Sequence, residues 1–254
     1  MSKKSFLAMV FAACLAQGAL AQESDNSMKP DAGSITAEIN LNLFNLGLFH
    51  GSGASSGNPF SLNNGMNQIR GRYFLSSSMA IRAGLNISAS NTRDNFAENP
   101  DGSGATGTAK QSSMGISLMP GFEKHFAGTN RLSTYVGADL LIGIRSASQK
   151  TENSDGSAYV KDLSIDYKGG WANGGARGGF DFGVRGVAGA DFYFIPNVYL
   201  GAEFGWGFVA SKASKIERTT KDASGTNTVV TSQGASSFNL TPSVLTGIRL
   251  GYKF

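Results

Sequence analysis

The chain has 254 residues, with 22 Lys+Arg against 18 Asp+Glu, two histidines, one cysteine and 34 glycines. A formal net charge of +4 without a clustered basic face excludes nucleic acid as the expected partner. A single cysteine excludes an internal disulfide or a cysteine metal site, and His50 and His125 are far apart in sequence, so no cofactor or metal is expected.

The chain opens as an export signal. Lys3 and Lys4 form a basic start, Phe6 to Ala16 is a short apolar run, and Ala19-Leu20-Ala21 is a small-x-small cleavage site. A lipoprotein signal ending before Cys14 is the rival reading, but Phe11-Ala12-Ala13 fits it poorly and cleavage after Ala21 explains more of the segment. Removing residues 1–21 leaves 233 residues and a net charge of +2. Residues 22–33 are expected to be a periplasmic N-terminal segment. The remaining 34–254 should form one domain.

No apolar run of about 18 residues follows the signal, so no transmembrane helix is expected. The dominant pattern is instead alternation with period two, the mark of strands. Eight segments show it, near 34–46, 66–75, 79–90, 112–126, 131–147, 176–194, 198–211 and 236–254. In the last, Phe238, Leu240, Pro242, Val244, Thr246, Ile248, Leu250, Tyr252 and Phe254 share one face, while Asn239, Thr241, Ser243, Leu245, Gly247, Arg249, Gly251 and Lys253 share the other.

The connections alternate too. Ser76-Ser77-Ser78, Ala127–Asn130 and Ile195-Pro196-Asn197 are short. Gly47–Gly65, Asn91–Gln111, Ser148–Gly175 and Lys212–Ala235 are long and polar. An eight-stranded antiparallel up-and-down transmembrane β-barrel needs that alternation, with short periplasmic turns and long outer loops. The polar faces carry Glu38, Arg70, Arg72, Arg82, Glu123, Asp139, Arg145, Asp181, Arg185, Asp191, Glu203, Arg249 and Lys253, seven basic and six acidic groups. Balanced charges can pair inside a narrow lumen, so the apolar faces are expected to meet lipid. Phe122, Phe126, Phe192, Phe194, Tyr252 and Phe254 should mark the periplasmic interface. Phe180, Phe182, Trp206 and Phe208 should mark the outer one.

Leu250-Gly251-Tyr252-Lys253-Phe254 resembles the C-terminal signal of bacterial outer-membrane barrels, with Leu250, Tyr252 and Phe254 as the apolar positions. Gly71-Arg72-Tyr73-Phe74-Leu75 and Met79–Leu85, joined by a serine turn, resemble the small "porin family" barrels related in architecture to the OmpA transmembrane domain, OmpX and OmpW. The resemblance covers residues 34–254. It implies a monomer in the Gram-negative cell outer membrane, with membrane lipid and the barrel-assembly machinery as partners. It implies no activity, and no wall-anchoring domain.

Several residues bear on function. Gly102-Ser103-Gly104-Ala105-Thr106-Gly107 matches a dinucleotide fingerprint, but no strand-to-helix context surrounds it, so a loop tip is expected. His50, near Ser52, Ser55 and Ser56, is the candidate for lipid-modifying catalysis, against a solvated loop histidine. His125 is expected at the periplasmic interface. No catalytic residue is assigned, and the chain is not expected to be an enzyme. The lumenal charges form either a structural plug or a narrow channel for ions or small apolar solutes, and the plug is the main expectation. Pro120 and Pro242 sit inside strands, where proline removes a ladder donor and can interrupt the wall. Loop 148–175, with Tyr159, Tyr167 and Trp171, could project as a hairpin whose edge captures an extracellular ligand or protein.

Overall fold

The computed structural model describes residues 28–41, 68–243 and 248–254. Residues 1–21, expected as an export signal, His50 with its neighbouring serines, and the whole of the first long connection lie outside the described residues.

The described chain is all-β. Its strands are β1 (Ile35–Leu41), β2 (Gln68–Ser76), β3 (Met79–Ala97), β4 (Thr106–Phe126), β5 (Leu132–Ser154), β6 (Tyr159–Lys168), β7 (Gly179–Ile195), β8 (Val198–Ala213), β9 (Ile216–Asp222), β10 (Gly225–Ser232), β11 (Ala235–Ser243) and β12 (Ile248–Lys253). Every pairing is antiparallel. Following the ladders from β1 through β2, β3, β4, β5, β7, β8 and β12 returns to β1, a ring of eight strands. β11 continues the ladder on β8 beyond β12.

Three connections expected as polar loops are largely strand. β3 and β4 stay paired out to Ala97↔Thr106, so 91–111 is mostly a hairpin. Segment 148–175 contains the end of β5 and all of β6, and 212–235 contains β9 and β10. β6 pairs with β5, β9 with β6 and β10 with β9, which builds a sheet beyond one end of the ring. The physical reason is simple. Beyond the apolar band both faces of a strand can meet water, so alternation fades while the backbone ladder continues.

The other end is closed by short turns. Ser78 N donates to Ser76 Oγ at 3.3 Å in the first. Asn197 adopts φ 68° in the third, a conformation asparagine tolerates well. Residues 28–34 lie across this end: Gly33 N donates to Phe74 O, Phe254 N to Ile35 O, and Lys253 Nζ to Lys29 O.

Side chains alternate cleanly in the ring. Outward positions on β4 carry Met114, Ile116, Leu118, Phe122 and Phe126, all exposed. Those on β5 carry Val136, Leu140, Ile142 and Ile144. Inward positions carry charge, hydroxyls and aromatic rings, and these are buried.

Candidate functional site

The thirteen charged residues picked out by alternation all face the ring interior. Ten of them form one connected set. Arg72 Nη1 lies 2.7 Å from Asp191 and 3.1 Å from Glu123, and its Nη2 lies 3.2 Å from Glu38. Arg82 reaches Glu123 and Asp139 at 2.5 Å and Glu203 at 2.7 Å. Arg70 joins Glu38 at 3.0 Å to Glu203 at 2.9 Å. Arg249 contacts Glu38 at 2.9 Å and Asp191 at 3.2 Å, and Arg185 contacts Asp139 at 2.5 Å. Five arginines therefore meet five carboxylates, with no excess of either sign.

Arg145 and Asp181 form a separate pair at 2.8 Å, nearer the projecting sheet. Lys253 lies at the turn end, donating to Lys29 O at 3.2 Å.

Strand position explains what the network does. β2 and β7 stand four places apart in the ring of eight, as do β3 and β8. The Arg72–Asp191 and Arg82–Glu203 pairs therefore span opposite walls. At that level the bore is bridged, not open.

Sequence reasoning missed the aromatic part of this site. Phe74, Tyr135, Tyr193 and Tyr199 are buried inside with the charges. Arg72 lies 5.1 Å from the Tyr199 ring centre and 5.8 Å from that of Tyr135. Tyr199 Oη donates to Glu38 at 2.9 Å, and Tyr135 Oη donates to Glu203 at 2.8 Å. The signal was present: each shares its strand parity with the charged residues. Glycines make the room. A Cβ at Gly251 would collide with the Tyr199 ring, and one at Gly189 with the Tyr135 ring.

His125 is corrected. It was expected at the periplasmic interface but is buried inside the ring, since it has the parity of Glu123, not of Phe122. Its Nδ1 is 2.9 Å from Ser133 Oγ and its Nε2 is 3.0 Å from Glu123 Oε2.

The two prolines differ. Pro120 pairs with Ala83 of β3, but the β4–β5 ladder breaks from Leu118↔Ile142 to Gly121↔Asp139 without changing register. Pro242 pairs with Trp206 of β8. The residues following the end of β1 lie outside the described residues, so the wall on the other side of Pro242 is not described.

The expected loop tip at Gly102–Gly107 is a turn leading into β4. Asp101 accepts from Ser103 N at 2.9 Å and from Ser103 Oγ at 2.6 Å. Asp155 with Ser157, and Asp222 with Ser224, repeat this arrangement at two further hairpin tips. These hydrogen bonds favour the carboxylate and hold Asp101, Asp155 and Asp222 below the usual aspartate range. Of the C-terminal residues, Leu250 and Tyr252 face outward, Phe254 is half-buried, and the Tyr252 and Phe254 rings meet edge-on at 4.9 Å.

No protein-family model matches the chain, and no curated protein matches it significantly.

Proposed function

We propose that the chain is an integral outer-membrane β-barrel protein, exported by a cleaved signal peptide and monomeric. Its lumen is plugged by paired charges, and its role is structural or surface-interacting. The observation that carries this reading is the inverted polarity of the ring, with apolar side chains outside and ion pairs inside.

The apolar band is continuous from strand to strand. Ala89 pairs with Met114, Ile116 with Ile144, Ile144 with Phe180, and Phe182 with Ala210. Along β4 the outward face runs from Met114 to Phe126, apolar except for the exposed Lys124 near the turn end. That is about 40 Å of strand, or roughly 28 Å along the axis at a 45° tilt, close to the hydrocarbon thickness of a bilayer. In water such a belt would be a large exposed apolar patch, whereas lipid satisfies it. Outer-membrane lipid is thus the first partner. The barrel-assembly machinery, reading Leu250, Tyr252 and Phe254, is the second.

The projecting sheet supplies the surface role. Its last strand, β10, pairs only with β9 among the described residues. Gly225–Ser232 contains neither charge nor proline, the usual guards of an edge. Such an edge suits addition of an extended strand from an extracellular protein.

The two tryptophans test the membrane reading. Trp206 lies in the band and is 58% exposed, whereas Trp171 lies beyond it with Nε1 donating to Ser112 O. In refolded protein, lipids brominated on their acyl chains should quench Trp206 in a Trp171→Phe variant. They should leave Trp171 bright in Trp206→Phe. Equal quenching of both, or of neither, would defeat the reading.

The ladder break at Pro120 favours a second reading, in which small apolar solutes leave the lumen sideways into the bilayer. Unchanged uptake of such solutes in Pro120→Ala would remove it.

A further inference from the structure

We propose that Ser133, His125 and Glu123 form a hydrolytic relay at the turn end of the ring, acting on a small carboxylic ester. Glu123 belongs also to the ion network, but the His125–Ser133 contact is used by neither the plug nor the lipid-facing band.

β4 places Glu123 and His125 two residues apart on its inward face, and β5 brings Ser133 beside them. The nucleophile and base are 2.9 Å apart, and the base and acid 3.0 Å apart. Both lie within the reach that activation of a serine requires. The imidazole cannot easily turn away. It sits 5.1 Å from the Phe74 ring and 5.2 Å from the Tyr135 ring. Arg72 and Arg82 hold Glu123 in place. With Nε2–H donated to Glu123, Nδ1 is left to accept the Ser133 proton.

The relay also has room for a substrate. A cavity of about 670 Å³ opens beside it, lined by His125, Ser133, Phe74, Lys29, Asn130 and Arg131. That is the size of a small-molecule site. Phe74 offers an apolar wall to a short acyl chain. Lys29 and Arg131 favour an anionic alcohol portion, and the Asn130 amide offers a donor for a developing oxyanion.

The chemistry balances with water alone. Ser133 Oγ bonds to the ester carbonyl carbon as its proton passes to His125 Nδ1. The tetrahedral intermediate collapses, the ester C–O bond breaks, and the departing alkoxide takes that proton. Water then attacks the acyl-serine, giving its proton to Nδ1. Collapse breaks the Ser133–acyl bond and returns the proton to Oγ. The products are a carboxylic acid and an alcohol. Glu123 carries no proton; it positions the imidazole and stabilises its charged form.

The test uses the refolded full chain in detergent micelles, with p-nitrophenyl butyrate and a fluorophosphonate as probes. It does not depend on the membrane reading, which the brominated-lipid experiment addresses separately. Peptide mass spectrometry should find the fluorophosphonate on Ser133. Ser133→Ala and His125→Gln, shown to be folded by strand circular dichroism and protease resistance, should lower ester hydrolysis at least about a hundredfold. Glu123→Gln should lower kcat with KM little changed, because the imidazole loses the carboxylate that orients it. Folded wild-type protein without an adduct on Ser133, or a folded Ser133→Ala variant hydrolysing at the wild-type rate, would overturn the proposal. Unchanged kcat in a folded Glu123→Gln variant would overturn the assignment of Glu123 to the relay.

Discussion

Arg72 is tied into the interior through five side chains. It touches Glu38, Glu123 and Asp191 and donates to Thr36 and Tyr199, all with negligible solvent contact. Removing one partner of a buried ion pair leaves the opposite charge stranded, at a cost of about 3–5 kcal/mol. Arg72→Met strands parts of three carboxylates, so urea unfolding from vesicles should show a loss of at least that size. The exposed Lys150–Glu152 pair is the control, since surface pairs contribute little. Lys150→Met should leave the midpoint where it is. At the hairpin tips the relevant variable is pH. Asp101, Asp155 and Asp222 have folded carboxyl values lowered by the serines two residues on. A lowered value means the tip hydrogen bonds are fully present above the unfolded value of about 3.9 and are lost as pH falls below it. The amide resonances of Ser103, Ser157 and Ser224 should hold steady from neutral pH down to about 5 and move only below about 4. Movement at higher pH would show that the carboxylates are not the acceptors.

At the scale of elements, the strands that meet the apolar band were legible because one face of each is apolar and the other charged. β7 was expected to end near Phe194 and ends at Ile195, and β4 ends at the expected Phe126. The outer continuations were not legible. Ser112, Lys110 and Thr108 alternate with Gln111 and Ala109, a pattern with no apolar face, yet all five pair with β3 and β5. Their ladder is set by neighbouring strands, which a single-chain pattern cannot report. The inner aromatic residues were hidden for a different reason. Residue type alone does not separate Tyr135 and Tyr199 from outward rings such as Phe122, and only parity assigns them to the interior. The projecting strands should contribute little to ring stability, because among the described residues β9 pairs only with β6 and β10. Replacing residues 217–231 by a short Gly-Ser link should leave the thermal midpoint of the ring nearly unchanged, while abolishing any capture of an extended peptide at the β10 edge. A collapse of the whole fold would mean that the sheet and the ring form one cooperative unit.

For the whole molecule, the question is whether a ring of eight strands can conduct with its interior so occupied. Rings of this size leave space that side chains normally fill. Here two ion pairs join opposite walls, Arg72 to Asp191 and Arg82 to Glu203, and the rings of Tyr135 and Tyr199 lie among them. An ion crossing that level would have to displace charges already paired in a buried setting, which costs far more than thermal energy supplies. Refolded protein in a planar bilayer should therefore be silent in molar potassium chloride. Removing both cross-walls together, in Arg72→Ala combined with Glu203→Ala, keeps net charge unchanged while opening the bore. Discrete steps that scale with salt should then appear. Steps from the wild-type protein would show that the ion pairs exchange partners readily and that the interior is a path, not a plug. A double variant that is folded yet silent would place the obstruction elsewhere, in the aromatic layer or in residues 28–34 at the turn end.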